Sequence, residues 1–293
     1  ASNNTAVGYH ALDLNTTGTA NVAVGAYALD ANTTANNNTA VGKDALTANT
    51  TGADNAAVGG ESLDANTTGD SNTAFGYRSL SANTTASNNT AVGKNSLLSN
   101  TTGTQNVAVG RGSLDANTTG SYNTALGDSA LGGNTTADAN TAVAYGSLFS
   151  NTTGASNTAI GVNALTANTT ASNNTAVGYD CLQSNTTGAE NVAVGSLALD
   201  ANTTASENTA VGYQALSANT TANGNTAVGR KALLVNTTGT YNTGLGREAL
   251  YDNTTGAHNT AVGNASLTNN IGCLLYTSPS PRDHCLSRLP CCA

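Results

Sequence analysis

A 17-residue unit, first seen as NTAVGYHALDLNTTGTA from Asn4 to Ala20, repeats along almost the whole chain without an insertion or deletion. A period held this strictly is typical of a solenoid, in which each repeat forms one coil that buries its apolar face only by stacking on its neighbours. The copies begin at Asn4, Asn21, Asn38, Asn55, Asn72, Asn89, Asn106, Asn123, Asn140, Asn157, Asn174, Asn191, Asn208, Asn225, Asn242 and Asn259.

Short β-branched runs bounded by turn residues indicate that the coils contain strands. Thr5-Ala6-Val7 lies between Asn4 and Gly8, and equivalent runs recur in every copy. The recurring Gly and Asn-Thr-Thr segments would interrupt a helix of this length. We therefore predict an all-β fold, a parallel β-solenoid (β-roll) of sixteen 17-residue coils over residues 1–270, with two or three short strands in each coil.

The repeat stops after Asn270. Residues 271–293 hold all three prolines and four of the five cysteines. Within them, CLLYTSPSPRD, which ends at Asp283, resembles a translated sequencing adapter, a contaminant found at the ends of metagenomic assemblies. We predict that residues 271–293 are a disordered and non-native tail; the alternative is a genuine Pro-rich tail or a cysteine cluster. Because Ala1 starts in mid-repeat, we also expect the array to be truncated at both ends.

The composition argues against several classes of partner. Charged residues make up 9% of the chain, against about 25% in typical proteins, and in the array they are scattered singly. The basic stripe that nucleic acid binding requires is missing from the sequence. No apolar run approaches the roughly 20 residues that a membrane span requires. We therefore predict no nucleic acid partner and no membrane span in this fragment.

Catalytic residues do not recur in the repeat. His10 and His258 lie in variable positions at opposite ends of the array, and neither has a recurring Ser or carboxylate partner. The aspartates at the tenth repeat position, such as Asp13, alternate with Thr, Ser and Leu in other copies, so they form no continuous acidic row. We predict that the chain is not an enzyme and that it has no catalytic, cofactor or metal site.

The third repeat position is Ala in every copy except at Gly244. Side chains alternate across a strand, so this position faces outward if Val7 and Leu12 face inward. Since a free surface would tolerate larger side chains, we predict that the column packs against another copy of the chain along the rod axis. Packing within the same chain, through a tight turn or a second layer, is the alternative. The candidate oligomer-facing residues are Ala6, Ala23, Ala40, Ala74, Ala91 and Ala108.

The Asn-Thr-Thr segment has two interpretations. Its asparagines are either a ladder of stacked, hydrogen-bonded amides or glycan acceptors in N-x-T sequons. The middle Thr is repeated although a sequon leaves it free, which favours the ladder. These asparagines are Asn15, Asn32, Asn49, Asn66, Asn83, Asn100, Asn117, Asn134, Asn151, Asn168, Asn185, Asn202, Asn219, Asn236 and Asn253.

The run NVAVGAYAL, from Asn21 to Leu29, resembles the head repeats of trimeric autotransporter adhesins of the YadA type, and similar arrays occur in phage tail fibres. The resemblance covers residues 4–270, although the period here is longer. It implies a left-handed, homotrimeric β-roll that is extracellular, on a cell surface or a virion. The expected function is a structural fibre or adhesin segment that associates with itself and contacts a host-surface or glycan receptor.

An ice-binding or glycan-binding surface on the same solenoid is the alternative function. A regular threonine array with little charge suggests ice binding. Known ice-binding solenoids, however, space two threonines as Thr-x-Thr on one face, whereas Thr16 and Thr17 are adjacent and should face opposite ways. Surface tyrosines such as Tyr9 and Tyr77, which share a repeat position, suggest a carbohydrate-binding surface.

Overall fold

The computed structural model describes residues 1–271. In this part of the chain, all regular structure consists of sixteen three-residue strands, which form one parallel sheet in chain order. The prediction of an all-β parallel solenoid is therefore confirmed. None of the described residues forms a helix with the length and apolar character that crossing a bilayer requires. Residues 272–293, on which most of the predicted tail falls, lie outside the described part.

Two compact units divide the chain, one over Ala1–Ile160 and one from Gly161 onward. The strands of the first unit are β1 Thr5–Val7, β2 Val22–Val24, β3 Thr39–Val41, β4 Ala56–Val58, β5 Thr73–Phe75, β6 Thr90–Val92, β7 Val107–Val109, β8 Thr124–Leu126, β9 Thr141–Val143 and β10 Thr158–Ile160. Those of the second unit are β11 Thr175–Val177, β12 Val192–Val194, β13 Thr209–Val211, β14 Thr226–Val228, β15 Thr243–Leu245 and β16 Thr260–Val262.

Neighbouring strands pair with no register shift. In the first unit Ala91 of β6 lies opposite Ala108 of β7, and in the second unit Ala193 of β12 lies opposite Ala210 of β13. Each repeat position therefore forms a column of equivalent side chains, in which adjacent strands lie about 4.8 Å apart.

Each coil contains one strand, not the two or three that the sequence predicted. The reason is the leucine at the ninth repeat position, whose backbone is in the left-handed region in every coil; Leu114, for example, has φ 54°. Ser129 at the seventh position and Tyr122 at the last position are also left-handed, at a cost of roughly 1–2 kcal/mol for each such residue. This backbone turns instead of extending. It still pairs with the next coil, since Leu97 N donates to Ser113 O at 3.0 Å.

The strand orientation is the reverse of the predicted one. Ala108 is 0% exposed and packs inside the coil with Leu114, whereas the neighbouring Val109 is 38% exposed. The assignment of the alanines as an outward, oligomer-facing column is therefore wrong, because these side chains point into the core of their own coil. Among the named candidates, Ala6 is exposed in the first coil, and the following are buried: Ala23, Ala40, Ala74, Ala91 and Ala108.

The third repeat position holds only small side chains because other residues already fill the interior of the coil. Each inner coil buries the leucine of the ninth position and two asparagines, as Leu97, Asn89 and Asn100 show in the sixth coil. Little space remains for the inward side chain of the strand, and close packing penalises larger residues there by about 1–3 kcal/mol. The absence of large residues from this column thus reflects a crowded core.

Candidate functional site

The asparagines of Asn-Thr-Thr form a ladder of side-chain hydrogen bonds inside the coils. Asn117 Nδ2 donates to Asn100 Oδ1 at 2.8 Å and to Gly120 O at 2.9 Å. In the second unit, Asn202 Nδ2 donates to Asn185 Oδ1 at 2.8 Å. The predicted asparagine ladder is confirmed.

A second ladder is built from the first asparagine of each repeat. The Oδ1 atom of Asn89 accepts from Asn106 N at 2.9 Å, and Asn106 Nδ2 donates to Gly120 O at 2.9 Å. The carbonyl of Gly120 also accepts from Asn117, so one backbone acceptor joins both ladders. Buried amides with all their partners in place stabilise one register against alternatives.

Burial of the ladder contradicts the glycan-acceptor interpretation. All the Asn-Thr-Thr asparagines from Asn32 to Asn253 are 0% exposed, and the first, Asn15, is half-buried. The amide nitrogen is the atom that an N-linked glycan would modify, and in Asn117 it already donates two hydrogen bonds. The buried side chains from Asn32 to Asn253 therefore have no space for a glycan while the coils are folded.

The two threonines of the Asn-Thr-Thr segment differ in their contacts and exposure. Thr101 Oγ1 donates to the backbone oxygen of Thr118 at 3.0 Å, so this threonine bonds to the next coil's backbone and not to another hydroxyl. Thr102, the second threonine, is exposed. The predicted opposite orientation of the two adjacent threonines agrees with this arrangement.

The sixteenth repeat position, which includes Thr104, Ser121 and Asp138, forms a further polar column. Thr104 N donates to Ser121 Oγ at 3.0 Å, and Ser121 N donates to Asp138 Oδ1 at 2.7 Å. The signal was present in the sequence, because this position in the array holds only Ala, Ser, Thr, Asn or Asp. Small side chains with an acceptor close to the backbone are what this bond requires.

The second and fourth repeat positions form the outward side of each strand, here called the outer strand face. It consists only of Thr, Val and Ala at the second position and of Val, Leu, Ile and Phe at the fourth, without one charged residue. Phe75 is 56% exposed, and Ile160 is 40% exposed. Large apolar side chains that are exposed along one face mark an interaction surface more often than an idle one.

Half-buried aspartates occupy the tenth repeat position. Asp64 Oδ1 accepts from Ser81 Oγ at 2.6 Å, and Asp200 Oδ1 accepts from Ser217 Oγ at 2.6 Å. Burial raises the pKa of Asp64, Asp115 and Asp200 above the usual aspartate value, and the serine hydrogen bonds to Asp64 and Asp200 offset part of this effect. These carboxylates are structural groups in separate coils.

The raised pKa of Asp115 predicts a stability gain on mild acidification. The folded chain takes up a proton at a higher pH than the unfolded chain, so stability rises as pH falls from neutral towards the unfolded pKa of about 3.9. We expect the melting temperature of the wild type to rise relative to that of Asp115→Asn over this window, measured by circular dichroism. Parallel pH profiles for the two proteins would contradict the assignment.

One group of side chains in residues 1–271 has the composition of a metal-ligand cluster. His10 Nδ1 lies 2.8 Å from Asp13 Oδ2, and Asp30 brings a third ligand atom within 4.8 Å of both residues. The sequence analysis did not predict this cluster. His10 and Asp13 are solvent-exposed, and Asp30 is half-buried. Cys181 is buried, and burial raises the pKa of its thiol to about 12, which disfavours the reactive thiolate form.

The chain matches no protein-family model and no curated protein. Its likeness to adhesin head repeats therefore stays a prediction that rests on the repeated motif.

Proposed function

We propose that this chain is a structural, non-enzymatic segment of an extracellular fibre, either a bacterial surface adhesin or a phage tail fibre. Self-association through the outer strand face is the central part of this proposal. The alanine column, which the sequence suggested for this role, lies inside the coil, and the exposed second and fourth positions take its place.

The observation that carries the proposal is the absence of charge from the outer strand face. Nearby solvent-facing positions hold Lys43, Arg78 and Glu61, so the chain tolerates charge outside this face. Exposed β-branched and aromatic side chains such as Val109 and Phe75 gain about 25 cal/mol for each Å² that a partner covers. An uncharged apolar strip that repeats with each coil is suited to a long, continuous contact.

A second copy of the chain is the partner that fits this surface. Equivalent side chains recur along the face at the strand spacing of about 4.8 Å, and only a partner with the same spacing can match every coil. Closed homo-oligomers bury such self-complementary faces without leaving an open end to the assembly. The resemblance to adhesin head repeats favours three copies and a left-handed coil.

The proposal predicts a trimer that charges on the outer strand face disrupt. Sedimentation equilibrium of the full chain in reducing buffer should give three times the 28.9 kDa chain mass. The double variant Phe75→Lys/Ile160→Lys should give the mass of one chain, because the added cations would be buried without partners. Reducing buffer prevents artificial links through the cysteines that follow Asn270.

The matched control is Thr102→Lys, which adds a cation at an exposed position outside the outer strand face. It should leave the trimer intact. A wild-type chain that remains a monomer at every concentration would refute self-association, and a stable dimer would refute the count of three.

Ice binding by the outer strand face is a second candidate function. The observation in its favour is that Thr90 and Val92, two residues apart, point to the same side of β6, and the pattern recurs in most strands. The threonine row is interrupted at Val22, Ala56, Val107 and Val192. A face buried in a trimer cannot contact ice, so measurable thermal hysteresis from a monomer would favour this candidate over assembly.

A further inference from the structure

The cluster of His10, Asp13 and Asp30 is built from two adjacent coils. The first coil supplies His10 at the seventh repeat position and Asp13 at the tenth, and the second coil supplies Asp30, also at the tenth. One imidazole nitrogen and two carboxylate oxygens, one from each residue, lie within 4.8 Å of one another. Divalent transition-metal ions are bound in proteins by ligands of these two types.

The two aspartates of the cluster form a pair of like charges that the rest of the column avoids. In the fourth coil, Asp64 at the same repeat position accepts from Ser81 of the next coil at 2.6 Å, and the same bond recurs at Asp200. The coil after Asp13 supplies Asp30 in place of a serine, and an ionised carboxylate cannot donate a hydrogen bond. Two carboxylates at this distance repel each other, and a cation bound between them removes the repulsion.

Lysine and arginine do not balance this negative charge. Residues 1–42 contain neither residue type, and Lys43, the first lysine of the chain, pairs with Asp44. Among residues 1–271, Asp30 takes part in no ion pair. The one basic side chain that contacts the pair is His10, whose Nδ1 lies 2.8 Å from Asp13 Oδ2. The charge of the cluster therefore favours a cation, and its imidazole favours a transition metal.

Aromatic contacts hold the histidine ring beside the aspartates. The His10 ring stacks on Tyr27 with 5.5 Å between the ring centroids and 3° between the ring planes, and Tyr9 makes a T-shaped contact with it at 4.2 Å. A ligand whose ring is already oriented by its neighbours loses less conformational freedom when it binds an ion.

We propose that His10, Asp13 and Asp30 bind one Zn²⁺ ion, or a similar transition-metal ion, that links the first coil to the second. His10 Nδ1 is the nitrogen ligand, each aspartate supplies one oxygen, and water completes the coordination. Metal–ligand distances of about 2.0–2.2 Å place the ligand atoms roughly 3–3.5 Å apart, so the exposed His10 and Asp13 side chains rotate towards Asp30. Calcium and magnesium bind more weakly, because they prefer sites made of oxygen alone.

The proposal adds a metal-dependent link between coils to the structural role. It does not depend on self-association, because the seventh and tenth repeat positions lie outside the outer strand face. The sequence predicted no metal site because the tenth-position aspartates form no continuous row, but one adjacent pair and a histidine are sufficient for a single ion. Separation of the two coils breaks the site, so a bound ion slows this opening in proportion to its free concentration above Kd.

The test is hydrogen exchange of the full chain, measured by mass spectrometry with and without zinc chloride in a buffer with a phosphine reductant. Leu12 N donates to Ala28 O at 3.0 Å and Leu14 N donates to Asp30 O at 3.1 Å, so peptides within residues 4–34 report separation of the two coils. Zinc at about 1 mM should slow their exchange at least about tenfold, and calcium or magnesium at the same concentration less than about twofold. Zinc bound to the cysteines after Asn270 does not affect this local measurement.

Asp30→Asn keeps the size of the side chain and removes its charge, and it should reduce the slowing by zinc to less than about twofold. Asp64→Asn is the matched control, since Asp64 has threonine and serine, not a second aspartate, at this position in the adjacent coils. His10→Ala should lose the effect of zinc, and His258→Ala should keep it. The proposal is overturned if zinc does not slow exchange in the wild type, if Asp30→Asn responds like the wild type, or if calcium or magnesium acts as strongly as zinc. A chain that remains a monomer would leave all these expected results unchanged.

Discussion

Replacing Ala108 with Asp is expected to lower the free energy of unfolding by about 4 kcal/mol or more, because a carboxylate would enter a fully enclosed apolar site. The same substitution at the next residue, Val109→Asp, should cost about 1 kcal/mol or less, since this side chain points to solvent. Chemical denaturation followed by circular dichroism measures both values. Both substitutions should be made in the Phe75→Lys/Ile160→Lys variant, so that assembly does not contribute to the measured free energy of unfolding.

The adjacent pair is a direct test of strand orientation. The two variants carry the same new side chain one residue apart, so composition and net charge are identical. If Val109→Asp were the more damaging change in this background, the strand would be inverted and the alanine column would face outward. Equal effects would mean that neither side of β7 is enclosed.

Asn106→Ala is expected to reduce the free energy of unfolding by about 3 kcal/mol, as an unsatisfied buried polar group costs about 1–3 kcal/mol and a small cavity adds to this. Asn106 Oδ1 accepts from the backbone nitrogen of Asn123 at 2.9 Å. Alanine leaves that nitrogen without its acceptor in the core. The effect should be localised, because each coil contacts mainly its neighbours.

Hydrogen exchange should show this localisation as faster exchange in the coils that begin at Asn89, Asn106 and Asn123. Thr102→Ala is the control, since it removes an exposed side chain from the same part of the chain, and we expect a change of about 0.5 kcal/mol or less. A loss for Asn106→Ala no larger than that of the control would mean that the ladder contributes little to stability.

The sequence predicted the features that every copy repeats. A residue such as Asn or Leu that holds the same position in every copy lies next to its equivalents when the coils stack in register. The parallel stack and the asparagine ladder could therefore be predicted from the repeat alone. The strand orientation could not be predicted in this way. Alternation of side chains places Ala108 and Val109 on opposite faces of the strand, but it does not say which face is buried. Assigning the larger side chain to the core gave the wrong answer, since Leu114 and the two asparagines already occupy that space.

The backbone conformation within the repeat was harder to predict. The single strand per coil requires left-handed backbone at Leu114 and its equivalents, a conformation that leucine rarely adopts and that no sequence pattern indicated.

The ladders also determine how the length of such a chain can change. The hydrogen bonds between inner coils join fixed repeat positions of adjacent coils, as the bond from Asn117 to Asn100 shows. Loss or duplication of one whole repeat therefore restores the same hydrogen bonds at the new junction, whereas any other change in length displaces the asparagines from their partners. Recombination between copies in the gene can thus lengthen or shorten the protein by whole coils without a new folding problem.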